Sequence, residues 1–430
     1  MSSTMAGTEA PSQNTAGSGG PAARRHRWSS PLRLWACLIA SMLAVIAVAT
    51  SSAITVAGRQ STANSDASTT EPLAEYVQEL YRSLADANAA AATAILVGPT
   101  PPARFGNRYN SDVQSAEQEL SFASRIVAGD KDASDDLAVV AADLPVYTGL
   151  ISTANANNRL GYPVGAAYLR EASDLMTNTM LSKVTDVEGR EYAAQGATAG
   201  RIIGPPLWFI LVAILAVLVL AVVWRRMAEM TRRSVNAGLL GGAFALAVLV
   251  VWTLAASISA GHAANAAEAQ FYQVNAQLSA RGDLANAESD EALSLVERGE
   301  DDGKYAAATQ KDMTQLQSFN EQGAIATDVK TLQGIVGNVQ QLTSQGQYSK
   351  AVGDVVGFGT NAANTTAVYT ATALDDALTA EMNQDQSAYT IDANAAISDL
   401  DGGLPVAIVI GLLGAAVAAY GVNRRLGEYR

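Results

Sequence analysis

Four long apolar stretches constrain this chain more than any other feature. They lie at 34–56, 205–224, 237–258 and 404–422, and none contains an Asp, Glu, Lys, Arg or His. An α-helix needs roughly 20 apolar residues to cross the hydrocarbon core of a bilayer, and each stretch is about that long. The sequence therefore predicts an all-α membrane protein with four transmembrane helices.

Basic residues beside these stretches predict the orientation, because Lys and Arg resist translocation. They occur in the tail 1–33, in the turn 225–236 and at the end of the chain, 423–430. These three segments carry a net charge of +8, whereas the rest of the chain, dominated by 57–204 and 259–403, carries −21. We therefore expect a multi-pass plasma-membrane protein with both termini in the cytoplasm and two large outer segments.

The first apolar stretch has a second interpretation. The basic tail, the apolar core and Ala47-Val48-Ala49 resemble a cleaved secretory signal. The apolar residues continue to Val56, beyond the roughly 7–15 of a signal core, which favours an uncleaved anchor. The tail 1–33 is polar and low in complexity, so we expect it to be disordered.

Composition narrows the classes of function. The net charge of −13 disfavours nucleic-acid binding, since phosphate contacts need a basic surface. One cysteine, Cys37, and two histidines, His26 and His262, are too few for a structural zinc site. The sequence has no Gly-x-Ser-x-Gly elbow and no paired buried carboxylates. We expect no metal, no cofactor, no catalytic residue and no enzymatic activity.

Each outer segment has the pattern of an antiparallel four-helix bundle. In 57–204, apolar residues recur three or four apart, as at Leu73, Val77 and Leu80, and turn residues separate four helices. The segment 259–403 repeats this plan, which predicts an internal duplication. We expect the longest bundle helices to continue directly into the spans.

Small residues four apart occur in two of the apolar stretches. Gly238 precedes Gly242, and Gly411 precedes Ala415. This spacing lets membrane helices approach closely, although such pairs also arise by chance in stretches rich in Ala and Gly.

A basic cluster is predicted at the membrane-distal tip of the first bundle, where two helix ends and two helix starts meet. Such cations could bind a carboxylate ligand or dock an acidic partner surface. Solvated tip residues and helix caps are the alternative interpretation. The candidates are Arg104, Arg108, Asn157, Asn158, Arg159 and Arg170.

Acidic residues suggest a counterpart at the tip of the second bundle. This acidic tip, Glu297, Glu300, Asp301 and Asp302, could pair with the basic cluster or with a partner. A calcium loop is disfavoured, because the alternating oxygen ligands and the distal Glu of such loops are missing. A separate acidic run that begins at Asp130 is expected to cap the helix that follows it.

Basic residues on the cytoplasmic side are candidates for docking a partner. Anchoring by the positive-inside rule and contact with anionic lipid explain them equally well. They are Arg225, Arg226, Arg232, Arg233, Arg424 and Arg425. Since the inner turn is too short to hold an output domain, another protein must read any signal sent inward.

Three sequence motifs and the plan of the whole chain carry a family resemblance. LTSQGQYSKAVGD at 342–354 is similar to the tip turns of four-helix ligand-binding bundles in chemoreceptors. NANNRLGYPVGAAYLREAS at 155–173 and GVNRRLGEYR at 421–430, in a four-span chain with two outer helical domains, resemble actinobacterial GlnX-type membrane signalling proteins. The resemblance implies a non-enzymatic adaptor between an extracytoplasmic glutamine- and aspartate-binding lipoprotein and the cytoplasmic serine/threonine protein kinase G.

Two other functions stay open at this stage. A cell-envelope or secretion-machinery scaffold would share all of these features and would differ only in its partners and in its response to ligand. A channel or transporter is less favoured, because such proteins usually place ionisable residues inside their spans.

Overall fold

The computed structural model describes residues 30–65, 71–231, 237–297, 303–319, 324–357 and 366–427. All regular structure in these ranges is helical, which confirms the all-α prediction. The helices are α1 Ser30–Ser65, α2 Glu71–Val97, α3 Ala103–Ile126, α4 Lys131–Arg159, α5 Val164–Leu175, α6 Ser182–Ile203, α7 Leu207–Thr231, α8 Ala237–Glu297, α9 Lys304–Phe319, α10 Ala324–Ser344, α11 Tyr348–Val356, α12 Ala367–Ser398 and α13 Gly403–Gly427. A π-helical segment, Met176–Leu181, joins α5 to α6.

Five helical segments in the described ranges are long and apolar enough to cross a membrane. Four of them contain the stretches predicted as spans, which lie in α1, in α7, at the start of α8 and in α13. The fifth is α4, which the sequence analysis assigned to the first bundle. Its apolar face is buried: Leu137, Val140, Tyr147 and Ile151 are each at most 1% exposed.

Helix ends follow the predicted turn chemistry. Gly98, Gly161 and Gly346 have φ angles of +107°, +71° and +71°, a region that favours glycine because it has no Cβ. The Asp130 side chain accepts hydrogen bonds from the backbone N–H groups two and three residues later, so it caps α4. The helix-cap interpretation of the acidic run is therefore confirmed at Asp130.

The outer helices do not all run directly into the predicted spans, contrary to our expectation. Among the connections that the structure describes, only α8 does so, as one helix of 61 residues. A break at 204–206 separates α6 from α7, since Pro205 and Pro206 cannot donate the amide bonds that would continue α6. A second break at 399–402, where Gly402 has a φ of +70°, separates α12 from α13. The connection from α1 to α2 lies outside the described residues.

The last bundle helix of the second outer segment is also divided. Gly357 ends α11 with a φ of +87°, and residues 358–365 lie outside the described ranges. After them, the Thr366 side chain accepts a hydrogen bond from the Tyr369 N–H and caps α12. The described residues from Tyr348 to Ser398 therefore form two helices, α11 and α12.

One hydrophobic core joins the two outer segments. It contains Leu80 and Leu84 of α2, Leu293 of α8 and Leu374 of α12, all fully buried. Within this core α2 packs against α3 of its own segment and also against α8 of the other. The first helix of each outer segment therefore lies at the centre of a shared core.

Small residues bring the apolar helices close together. A Cβ added at Gly242 of α8 would lie 3.1 Å from the Cβ of Ala418 in α13, and Gly411 of α13 lies directly against Ala49 of α1. Both glycines belong to the predicted small-residue pairs, so that spacing does mark sites where helices meet. The helix α1 contacts α7, α8 and α13.

Candidate functional site

Two arginines of the predicted basic cluster form ion pairs with the second outer segment. Arg108 donates to Asp86 of α2 at 3.1 Å and to Glu288 of α8 at 3.0 Å. Arg170 donates to Glu297, at the end of α8, at 2.9 Å. The alternative in which the acidic tip pairs with the basic cluster is thus confirmed for Arg170 and Glu297. These two cations already have carboxylate partners within the chain.

The two asparagines of the cluster act as helix-end groups. The Asn158 side-chain amide donates to the carbonyl oxygens of Ile95 and Gly98, at 3.3 Å and 3.2 Å. It thereby satisfies acceptors that the end of α2 leaves unpaired. The Asn157 amide donates to the Thr153 carbonyl within α4 at 2.8 Å. For Asn158 the geometry favours the helix-cap interpretation, whereas the Asn157 bond lies within the last turns of α4.

The remaining two arginines of the cluster are exposed. The Arg104 guanidinium lies 4.7 Å from the centre of the Phe105 ring, and neither it nor Arg159 forms an ion pair with a described residue. Arg159 is followed by Leu160 and Tyr162, whose side chains are 67% and 57% exposed. Of the four predicted arginines, only Arg104 and Arg159 form no ion pair with a described residue.

The docking candidates that the sequence predicted on the cytoplasmic side are only partly described. Arg225 lies 3.4 Å from Glu229 one turn further along α7, and Arg226 is exposed. The others are Arg424 and Arg425 in the last turns of α13, and Arg232 and Arg233, which lie outside the described residues.

Charged side chains that the sequence analysis did not single out join the two outer segments. Arg281 of α8 is 6% exposed, donates to Asp375 of α12 at 2.6 Å and lies 3.6 Å from Glu79 of α2. Glu79 also accepts from Arg82 at 2.7 Å. With the ion pairs of Arg108, they form a polar belt across α3, α2, α8 and α12. Removing one partner of a buried pair leaves an uncompensated charge, which costs about 3–5 kcal/mol.

Four carboxyl groups on α8 and α9 are partly or fully buried and form no ion pair with a described residue. Burial raises the pKa of Asp290, Glu291 and Asp312 to about 7 and that of Asp283 to about 6. Repulsion between neighbouring carboxylates adds to the effect at each group except Asp283. No arrangement of His, Cys, Asp and Glu suited to a metal ion occurs within the described ranges. Because of these raised pKa values, the four carboxyl groups gain or lose a proton near neutral pH.

A cavity of about 220 Å³ lies between the outer segments, where α2, α6, α8 and α9 meet. Its polar lining includes Gln78 and Tyr81 of α2, Glu188 of α6, Asp283 of α8 and Gln315 of α9. The exposed Gln315 side chain lies at the opening to solvent. The cavity is thus built from both outer segments.

Hydrogen bonds hold the polar groups of the lining in place. The Gln78 amide donates to the Tyr192 hydroxyl at 2.8 Å and to Glu188 at 3.5 Å. On the other side, the Gln315 amide donates to Asp283 at 3.1 Å. Burial raises the pKa of the Glu188 carboxyl. Both carboxyls therefore accept hydrogen bonds from neutral donors, and neither forms an ion pair with a described residue.

A glycine in α8 makes room for one wall of the cavity. A Cβ added at Gly282 would lie 2.6 Å from the nearest atom of the Tyr81 ring, so one edge of this ring lies against the α8 backbone. Asn286 donates to the Tyr81 hydroxyl at 3.0 Å. Glycine inside a helix costs about 1 kcal/mol relative to alanine, and here it permits the close approach of Tyr81.

Arg59 of α1 joins the outer helices to the apolar helices. Its guanidinium, on a side chain 7% exposed, donates to the carbonyl oxygens of Ile202 at 2.8 Å and Ser257 at 3.2 Å, and also to that of Gly204. Ile202 lies in the last turn of α6 and Gly204 directly follows this helix, where carbonyls have no helical partner. One side chain of α1 therefore holds the end of α6 against α8.

Sequence reasoning missed the cavity and the Arg59 contact because it searched for charge at turns and tips. The sequence features that could have indicated them are polar or small residues at core-facing positions of long helices. Gln78 lies between the buried Val77 and Leu80, and Gly282 interrupts α8 without ending it.

A comparison with known families bears on the first outer segment. Residues 62–199 match the family described as an actinobacterial sensor domain, which supports an actinobacterial sensor protein with a signalling role. The matched range includes Gln78, Tyr81 and Glu188 of the cavity and Arg108 of the polar belt. No curated protein and no solved structure matches the chain.

Proposed function

We propose that the protein is a transmembrane sensor and adaptor, which reports a condition outside the cell to a protein in the cytoplasm. The observation that carries this proposal is α8. This unbroken helix begins in a candidate membrane span and ends at Glu297, and along its outer half it packs against α2 of the sensor-like segment. The rigid helix α8 would therefore transmit a displacement of α2 toward the bilayer.

The proposed topology has four spans, with both termini in the cytoplasm. In this arrangement the sensor-like residues 62–199 lie outside, between the first two spans. The fifth apolar helix, α4, belongs to the outer core, because its apolar face packs within the shared core and its first turns carry Lys131 and three aspartates. The first outer segment contains α2 to α6, and the second contains the outer part of α8 and then α9 to α12. This similar order of helices supports an internal duplication.

The proposed mechanism is a small shear of α8 against α1. The breaks at 204–206 and 399–402 uncouple α6 and α12 from the spans that follow them, so α8 is the stiff connection. Inside the apolar region, Ser52 of α1 and Thr253 of α8 share a buried hydrogen bond of 2.6 Å. Sliding of packed helices by about 1–2 Å is enough for switching in other systems.

The proposed partners follow from the resemblance and from the small cytoplasmic segments. An extracytoplasmic amino-acid-binding lipoprotein would bring amino-acid availability to the outer segments, and a cytoplasmic serine/threonine kinase would receive the signal. Arg225 and Arg226 are exposed and are the described candidates for contact with that cytoplasmic partner. The protein itself would carry out no chemical step.

The test is crosslinking in native membranes, followed by affinity purification and mass spectrometry. We expect an amino-acid-binding lipoprotein and a soluble kinase to be recovered with the tagged protein. Replacing both Arg225 and Arg226 by Ala should remove the kinase and leave the lipoprotein, while Arg104→Ala at the outer tip should leave the kinase bound. Recovery of secretion or cell-wall machinery without signalling proteins would overturn the proposal and favour an envelope scaffold.

A further inference from the structure

We propose that the cavity between α2, α6, α8 and α9 binds a small organic cation through a primary ammonium group. This inference rests on the proposed sensory role of the outer segments and names the ligand class. It draws on the charge of the cavity lining, its hydrogen-bonding groups, its size and its position between the segments.

The charge of the lining favours a cation. Glu188 and Asp283 line the cavity from two different helices, and neither forms an ion pair with a described cation. Lys311 of α9 acts on Asp283 at longer range without pairing with it. An ammonium group has three N–H donors and a positive charge. It can therefore donate charge-assisted hydrogen bonds to both carboxylates, which have only neutral hydrogen-bond partners.

The same lining disfavours anionic ligands. The described residues that line the cavity include no Lys, Arg or His. The Gln78 amide is already directed at Tyr192 and Glu188, so it is not free to receive a ligand carboxylate. A carboxylate placed here would face Glu188 and Asp283 at short range, and like charges repel strongly where water is partly excluded. The ligand class is therefore an amine with no acidic group.

The volume of the cavity limits the size of the ligand. Its 220 Å³ is below the roughly 300–1,000 Å³ of pockets for drug-sized molecules. Tyr81 and Leu278 supply ring and aliphatic surface for a short carbon chain, and the Tyr81 ring keeps its position only while residue 282 has no Cβ. A short aliphatic amine or diamine fits these limits.

The position of the cavity connects binding to the proposed signal. Glu188 belongs to α6 of the sensor-like segment, and Asp283 belongs to α8. A cation held between their carboxylates would draw α6 and α8 together, because both carboxylates attract the same ammonium group. Since α8 continues into a candidate span, closure of the cavity displaces the helix proposed to carry the signal.

The experiment is calorimetric titration of the full-length protein in lipid nanodiscs with 1,4-diaminobutane, at about 150 mM salt to screen surface charge. We expect saturable binding, which Glu188→Gln and Asp283→Asn each weaken on the order of tenfold, as loss of a charged hydrogen bond predicts. Glu117→Gln on α3, an exposed carboxylate outside the cavity, is the matched control and should leave affinity unchanged. Sodium aspartate should not compete.

A second variant tests the cavity even if Glu188→Gln or Asp283→Asn fails to fold. Gly282→Ala removes no charge and favours the helix, but its Cβ forces the Tyr81 ring to shift, so diamine affinity should fall while helicity is kept. The proposal is overturned if the folded wild type shows no saturable diamine binding, if Gly282→Ala binds like the wild type, or if Glu117→Gln weakens binding as much as Glu188→Gln.

The inference and the proposed function can fail separately. Diamine binding without recovery of a lipoprotein or kinase would keep the cavity assignment and reject the adaptor. Recovery of both partners without diamine binding would keep the adaptor and reject the cavity ligand.

Discussion

Arg108 of α3 donates to Glu288 of α8 at 3.0 Å, across 180 residues of sequence. The Glu288 side chain is 9% exposed, and burial raises its pKa while Arg108 opposes that effect. This pair joins the segment that matches the sensor family to the long helix of the second segment. The polar belt around it joins the two segments beside the shared hydrophobic core.

Replacing Arg108 by Met should destabilise the outer core, because it leaves Glu288 and Asp86 without their shared cation. Since Arg108 is one-third exposed, we expect the lower end of the range for buried pairs, about 3 kcal/mol, and a fall in Tm of several degrees. Thermal unfolding of the purified protein measures this. Arg104→Met is the control and should change stability by less than about 0.5 kcal/mol. Equal effects of the two variants would contradict the role of the pair.

Replacing Arg59 by Met should loosen the end of α6, since three carbonyl groups lose their donor. Each buried acceptor left unpaired costs about 1–3 kcal/mol. We expect faster amide hydrogen exchange in the last turns of α6, measured by mass spectrometry on the full-length protein. Arg201→Met, an exposed arginine in the same turn, should leave exchange unchanged. Unaltered exchange in Arg59→Met would show that other contacts hold this end.

Replacing Gly411 by Val should disrupt the contact between α13 and α1, because the added side chain meets Ala49 where no space is left. Overpacking of this kind typically costs about 1–3 kcal/mol. Size-exclusion chromatography after heating in detergent should show loss of the folded peak at a lower temperature. Leu412→Val is the control, since Leu412 is 65% exposed on the neighbouring face. If both variants aggregate at one temperature, the close approach is unimportant.

Stability should fall as the pH rises from about 5 to 8. Burial raises the pKa of Glu291 and Asp312 to about 7 in the folded protein, above the value of about 4 expected in the unfolded chain. A raised carboxyl pKa means that the folded state binds more protons, so its stability is complete below the unfolded pKa and is lost as the pH passes about 7.

Thermal unfolding across this pH range measures the slope. Glu291→Gln should reduce the slope and raise Tm by a few degrees at pH 8, because Glu291 is 4% exposed and one carboxyl oxygen has no hydrogen-bond partner. Glu117→Gln, on the exposed side of α3, should keep the wild-type slope. A Tm that rises with pH in the wild type would contradict the assignment.

Local sequence patterns determined the helical architecture of this protein. Apolar runs and three-to-four periodicity mark the helices, while glycines such as Gly98, Gly161 and Gly346 and the cap at Asp130 mark their ends. These features were predictable because each depends on residues within a few positions of one another. Continuity into α7 was predicted wrongly, although Pro205 and Pro206 were visible in the sequence and forbid it by the same local reasoning.

Only the tertiary structure decided which helices face one another. That Arg108 would meet Glu288 rather than a free ligand, that Arg59 would reach Ile202, and that Gln78 and Asp283 would line one cavity all depend on the rotation and crossing of helices far apart in sequence. Helical periodicity specifies which face of a helix is apolar, but it does not specify the neighbour that covers it. That choice follows from close packing of side chains throughout the shared core.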